Sequence, residues 1–418
     1  MAPLFGVSSE LFSVTETIIK IIASTRDLAI NGAPPAFAKP LHVGRPHLGS
    51  KAQFLELAEQ IYDSRWLTND GPTVQEFEAA VAKLHSVKHC VATCSGTAAL
   101  DIAIRALDLQ GEVILPSYTF VATAHALKWQ NITPVFADID PKTHNLNVDS
   151  VRARVSSKTT GIIAVHLWGR VAPVDELKAV ADELSLKLMY DAAHAFGCSY
   201  HHRMVGNFGD CEIVSFHATK VVNSFEGGAL LTNNDELAKK ARLMRNFGFA
   251  GFDNVVALGT NGKMTEICAA MGLVNLRAFS DITSVNRRNY DSYRKYLGEI
   301  PELTCIDYQD CHKANYHYIV VEVSSACSLD RDKIVSMLHA ENVLARRYFW
   351  PGCHGMAPYR NLYPEAGESL PNTRDVAERV LVLPTGEAAT EADIKAICNM
   401  MKVYIEAGEQ LMLESGSY

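Results

Sequence analysis

Positive charge is in deficit along this chain: 39 Lys and Arg stand against 47 Asp and Glu, a formal net charge of −8. That deficit argues against a nucleic-acid partner, which would need a basic face to neutralise its phosphates. An anionic small ligand would have to be met by a local basic cluster. Long apolar runs are missing as well. None reaches the ~20 residues of a membrane span, and a hydrophobic content of 48% with mean hydropathy +0.01 describes a soluble globular chain with no membrane partner. The ten cysteines include no C-x-x-C pair. Cys90 and Cys94 bracket a strand-like run, and Cys305 and Cys311 lie six apart with no histidine pattern of the zinc-site type, so no metal site is read. They read as buried free thiols in a reducing cytoplasm. Low-complexity linkers and internal repeats are also absent. The stretch from Met1 to Arg26 has an apolar stripe (Phe12, Ile18, Ile19, Ile21, Ile22). It lacks both the arginine-rich, acid-poor character of a transit peptide and the continuous core of a secretory signal. Residues 1–27 are therefore read as an extension that packs on the body or frays.

What the chain has is length and alternation. Its 418 residues suffice for two or three domains at roughly 150 residues each. Between Gly111 and Thr232, apolar runs such as Glu112–Pro116, Pro134–Asp138, Gly161–His166, Leu186–Asp191 and Cys211–Phe216 alternate with segments of helical spacing such as Pro173–Leu184. Continuous apolar strands are those covered on both faces, so the pattern predicts an α/β fold with a mainly parallel sheet between helices. Glu266–Arg294 reads as one long helix leading into a smaller α+β unit. That unit would contain a strand over His317–Val323, a helix over Asp330–Leu338, a strand over Arg346–Phe349 and a terminal helix after Thr390. The expected division is a large domain over 28–280 and a small C-terminal domain over 281–418.

Three segments carry chemistry. Lys220 follows the strand-like Cys211–Phe216 and precedes Gly227-Gly228, at the carboxyl edge where open α/β sheets bind ligands. A lysine held there is a candidate Schiff-base amine, because desolvation frees its nucleophilic form. A solvated surface lysine is the plain alternative. Asp191 and His194 end another such strand. A pyridoxal 5′-phosphate (PLP) site needs a lysine for the aldehyde and an aspartate for the pyridine nitrogen. The phosphate requires a cradle, and Val91–Leu100 offers a strand, the small-residue turn Ser95-Gly96-Thr97 and an Ala/Leu-rich helix. Singly, Asp191 could cap a helix and the turn could be only a cap. Together and in this order, the three form a specific signal.

With these segments in view, the chain resembles the sugar-nucleotide aminotransferases of the DegT/StrS type, PLP enzymes of fold type I with the aspartate-aminotransferase fold. The resemblance covers about residues 28–405. It rests on Trp66–Pro72, Ser95–Leu100, Pro116–Phe120, Pro134–Asp138, His166–Gly169, Asp191–His194, Ser215–Lys220 and Gly259–Glu266. Some relatives are dehydratases with histidine in place of the Schiff-base lysine, and Lys220 argues against that branch.

The resemblance implies that Lys220 is catalytic, that Asp191 pairs with the pyridinium, and that Gly96, Thr97 and Ser215 bind phosphate. It further implies that His194 meets the phenolic oxygen and that Phe120 stacks on the ring. Asn261 would reach the phosphate site of a partner subunit, which makes a homodimer with shared sites. His317, Arg346, Arg347 and Tyr348 fall in segments that would approach the sugar nucleotide, and a solvated basic strand edge is the alternative for the arginines. The implied reaction moves an amino group from L-glutamate to C4 of dTDP-4-keto-6-deoxy-D-glucose, yielding the 4-amino-4,6-dideoxy sugar and 2-oxoglutarate. Transamination at C3 of a dTDP-linked 3-keto sugar is the competing reading, and a PLP-binding regulatory protein without turnover is the rival from another class.

Overall fold

The computed structural model describes residues 20, 22–308 and 313–408. Phe12, Ile18, Ile19, Ile21 and Cys311 lie outside the described residues. The larger unit is built on seven strands: β1 (His89–Thr93), β2 (Glu112–Pro116), β3 (Thr133–Ala137), β4 (Thr159–Val165), β5 (Lys187–Asp191), β6 (Cys211–Ser215) and β7 (Gly228–Thr232). They pair in the order β1-β7-β6-β5-β4-β2-β3. Only β7 runs antiparallel to its neighbours, so the sheet is mainly parallel, as the alternation predicts.

Side chains alternate between two cores, as the two-residue period of a strand requires. Ile162, Ala164, Leu188, Tyr190 and Val214 join one apolar cluster with Phe77 and Phe196. Ile163, Met189 and Ile213 point the other way, against Leu100, Ile104 and Leu127. Burial on both faces explains why these strands read as continuous apolar runs.

The C-terminal unit carries a three-stranded antiparallel sheet, β8 (Leu303–Cys305), β9 (Ile319–Val323) and β10 (Val380–Leu383), in sequence order. One face packs on the helices Arg331–Ala340 and Glu391–Ala407. The other presents Tyr318, Val320 and Val382 to Tyr118, Val165, Trp168 and Phe349, which makes a shared apolar seam between the two units.

Three sequence expectations change. The long helix is two helices, Glu266–Arg277 and Phe279–Leu297, separated at Ala278. The break lets Phe279 and Ile282 seat in the core of the larger unit while Tyr290, Tyr293 and Leu297 seat in the other. Arg346–Phe349 forms no strand beyond a single bridge from Arg346 to Val382. The pairing falls earlier, where Val343–Leu344 runs parallel to Leu41–His42. Finally, residues 28–42, grouped with the large domain from sequence, pack on the C-terminal core through Leu28, Ala36 and Phe37. The Glu341 carboxylate gathers that segment by accepting from the backbone N–H groups of Ala29 at 2.6 Å and Ala36 at 2.7 Å.

All nine described cysteines are free, and Cys94 is exposed where burial was expected. Among the described residues no helix is long and apolar enough to cross a membrane. No group of three or more His, Cys, Asp or Glu among them is arranged to hold a metal.

Candidate active site

The pairing register brings the three chemical segments to one edge of the sheet. Asp191 ends β5 opposite Val165 of β4 and Ile213 of β6. Gly228 opens β7 opposite both Ser215, the end of β6, and Thr93, the end of β1. Lys220 lies in the turn after β6, its N–H donating to the His217 carbonyl at 2.8 Å. A cavity of about 310 Å³ opens at this edge. It is lined by Gly96, Thr97, Phe120, Asp191, His194, Ser215, Lys220 and Tyr348, and also by Glu226, Tyr318 and Phe349. A second cavity, about 360 Å³, is lined by Asp140, Arg170, Glu176 and Tyr308, and no described Lys, His or Cys lines it.

Burial lowers the Lys220 amine to about 8, with the negative charge of Asp191 opposing the shift. Near neutral pH an appreciable fraction of this amine is therefore the free base. Its Nζ donates to the Tyr318 hydroxyl at 3.4 Å. Asp191 is buried and anchored at both oxygens: Oδ2 accepts from Thr123 Oγ1 at 2.7 Å and Oδ1 from the Ala193 N–H at 3.1 Å.

His194 is neutral. Burial, followed by the positive charge of Lys220 and the neighbouring His317, pushes it well below the ordinary imidazole range. Its Nδ1 accepts from the Trp168 backbone N–H at 3.3 Å, which assigns the ring proton to Nε2. The rings of Trp168 and Phe349 stack on it at centroid distances of 5.9 and 5.8 Å. Phe120 is 56% exposed, an aromatic wall with one face uncovered.

The anion cradle is backbone. Ser95 caps the helix Gly96–Ala106, its Oγ accepting from Ala98 N–H at 3.0 Å. The N–H groups of Gly96 and Thr97 in the same turn have no carbonyl within the helix to meet. At Gly228 the approach is close enough to demand glycine, and at Gly96 it is tight. A Cβ on Gly228 would fall 2.4 Å from the Gly96 nitrogen, and one on Gly96 would fall 3.1 Å from the Ser215 Cβ.

Four candidates stand apart from the cavity lining. Asn261 is exposed, in an isolated bridge with Asn246. His317 is buried, with Nε2 on the Thr219 carbonyl at 2.8 Å and Nδ1 without a partner. Burial lowers it to about 3, with smaller contributions from Lys220 and His47. Arg346 lies over the Tyr348 ring, 5.0 Å from its centroid. Arg347 is paired with Asp332 at 3.0 Å and lies 4.8 Å from the Trp350 centroid.

Sequence reasoning missed Thr123, Tyr318, Phe349 and Glu226. Thr123 carries a usable signal, since it stands three residues beyond Phe120 on an incipient helix whose start faces the same edge. Tyr318 adjoins His317, but its ring joins the seam with Val320 and Val382 while the His317 imidazole bonds the Thr219 carbonyl.

Three comparisons bear on this arrangement. The profile of the DegT/DnrJ/EryC1/StrS aminotransferase family matches residues 49–402. The chain is 36% identical over 349 residues to the dTDP-4-amino-4,6-dideoxy-D-glucose transaminase of Shigella dysenteriae, covering 83% of this chain and 94% of that one. It is 32% identical over 340 residues to the GDP-perosamine synthase of Caulobacter vibrioides, covering 80% and 91%. Among solved structures, that of DesI in the presence of its TDP-sugar product superposes with a TM-score of 0.89 at 46% identity, covering 93% of this chain and 99% of that one.

Proposed function

The chain belongs to the DegT/DnrJ/EryC1/StrS aminotransferase family and is an enzyme, and from that premise we propose that it aminates C4 of dTDP-4-keto-6-deoxy-D-glucose, with L-glutamate as donor and PLP as resident cofactor. The observation that carries the reading is a single cavity in which the Lys220 amine, lowered to about 8, shares space with an anchored carboxylate and a helix-start anion cradle. The residues fit PLP by their chemistry: an amine for the aldehyde, an anion for the pyridinium, N–H donors for the phosphate, and a half-exposed aromatic face for the ring.

The cofactor, when bound, supplies an aldehyde that a lysine can hold and a cationic ring that withdraws electrons from the carbon being deprotonated. Asp191, held by Thr123 and Ala193, would keep the proton on the ring nitrogen. The Nε2–H of His194 would be the donor offered to the phenolic oxygen. The Gly96 and Thr97 N–H groups and the Ser215 hydroxyl would hold the phosphate, and Phe120 would cover a ring face. Lys220, as a free amine, would take the α-proton of glutamate and in the second half-reaction would deliver a proton to the sugar carbon. Its lowered affinity for protons suits both directions. Tyr348 borders the sugar side of the cavity, while Arg347, already paired with Asp332, would have to exchange that partner to meet a diphosphate.

The Shigella dysenteriae relative favours C4 of a dTDP sugar, and DesI is solved with a TDP-sugar product. The Caulobacter vibrioides relative raises a GDP-linked acceptor as the second reading. Incubating the protein with PLP, L-glutamate and each of dTDP-4-keto-6-deoxy-D-glucose, its GDP-linked 4-keto counterpart and a dTDP-linked 3-keto sugar, with mass detection of the amino sugar, separates the readings. The expected product is the dTDP-linked 4-amino sugar with stoichiometric 2-oxoglutarate. Faster turnover of the GDP-linked or 3-keto acceptor would overturn the assignment.

A second copy of this chain completes the proposal. Phe247, Phe249, Phe252, Val255, Val256 and Leu258 are all exposed, Phe252 fully and Leu258 at 88%, immediately before Asn261. Such an apolar surface marks an interaction site, and the exposed Asn261 follows Leu258 by three residues.

A further inference from the structure

Lys220 changes protonation state within each half-reaction proposed above, so the groups touching its amine must serve both the ammonium and the free base. Among the described residues, the hydrogen bond recorded for Nζ goes to the Tyr318 hydroxyl at 3.4 Å. Tyr318 is a buried residue of the C-terminal unit, immediately before β9, whereas Lys220 belongs to the larger unit. Its ring is boxed in: the His194 centroid is 4.5 Å away, Trp168 lies edge-on at 5.6 Å, and His317 packs at 4.9 Å and 82°.

We propose that Tyr318 is a positioning residue for Lys220: its hydroxyl accepts from the ammonium, donates to the free amine, and so holds the nitrogen in one place through the proton-transfer cycle. The inference rests on Lys220 being the proton carrier of the proposed function. A phenol suits the task because one oxygen both donates and accepts. Burial, with the nearby Tyr348 and Asp191, holds the Tyr318 proton more tightly than in an ordinary tyrosine. The hydroxyl therefore stays neutral over the working range and does not compete for the lysine's proton. The other titratable groups facing the pair are Asp191, His194, His317 and Tyr348. Both imidazoles are kept neutral by burial, which leaves Asp191 as the charged neighbour. Because Tyr318 sits in the seam between the units, their packing also sets the position of the amine.

The test uses Tyr318→Phe, which keeps the ring and its packing, beside Tyr348→Phe, which removes a different hydroxyl from the cavity. Holoenzyme loaded with pyridoxamine phosphate, in which Lys220 is free, is labelled with acetic anhydride across a pH series, and the Lys220 peptide is quantified by mass spectrometry. Because a hydrogen bond to the ammonium outweighs one to the neutral amine, its loss should lower the labelling midpoint of Tyr318→Phe by about half a pH unit. The plateau kcat should fall by about 10²-fold, with KM for both substrates within about threefold of wild type. Tyr348→Phe should leave the midpoint in place. A Tyr318→Phe midpoint equal to wild type, or a shifted midpoint with unchanged kcat, overturns the inference. If the wild-type protein carries its cofactor on another lysine, the function reading itself falls, and that outcome is distinct from either of the others.

Discussion

At the scale of single residues, two side chains divide the chemistry by charge. Asp191 is anchored by Thr123 and Ala193, so replacing it with the isosteric amide keeps the shape and removes the anion that holds a pyridinium proton. Asp191→Asn should bind PLP yet turn over about 10²- to 10³-fold more slowly, or worse, matching the roughly 3–4 kcal/mol that single electrostatic groups supply in active sites. Steady-state kinetics beside absorbance of the bound cofactor check both halves. Lys220 predicts the pH dependence. Its amine is lowered to about 8 by burial, and the proton-accepting form is the free base, whose fraction rises as pH climbs through that value. In single-turnover experiments with donor, the rate of the proton-transfer step should therefore rise with pH and level off above about 8. A rate that falls across the same window would refute the base role.

At the scale of elements, the cradle depends on where β7 begins. Gly228 faces the ends of β1 and β6 at once, and a Cβ there would meet the Gly96 nitrogen at 2.4 Å. Gly228→Ala should push the helix start outward, cost about 1–3 kcal/mol of stability as an overpacking change does, and weaken PLP affinity more than it lowers the melting temperature. Equilibrium dialysis and a thermal melt measure the two effects separately. The sequence showed this edge well because its strands are buried on both faces and end in polar residues: β5 runs apolar into Asp191, and β6 into Ser215. It showed the C-terminal unit less well. Arg346–Phe349 has strand-like composition, yet pairing is a long-range property: only Arg346 meets a partner, at Val382, while the neighbouring Val343–Leu344 pairs with Leu41–His42. The helix break at Ala278 was invisible for a similar reason. No proline or glycine marks it, and its cause is that Phe279 and Tyr290 belong to different cores. Tyr318 and Thr123 escaped notice because neither type is diagnostic until a partner in a distant segment is known.

At the scale of the whole molecule, the apolar surface from Phe247 to Leu258 and the exposed Asn261 next to it lead to an assembly prediction. Sedimentation at assay concentration should give a dimer, and Phe252→Asp with Leu258→Asp should shift it toward monomer with loss of activity. Mixing inactive Lys220→Ala subunits with inactive Asn261→Ala subunits under conditions of exchange should restore activity, since one site of each mixed dimer has both native residues. A fully active monomer would contradict the shared site.

The most direct test of amino transfer centred on Lys220 is chemical. The purified protein with PLP is reduced with sodium borohydride and digested, and the pyridoxyl group is mapped by mass spectrometry. One modified peptide, carrying the group on Lys220 and missing from Lys220→Ala, is the predicted result. Modification of a different lysine, or none in a protein that still aminates the sugar, would contradict the account.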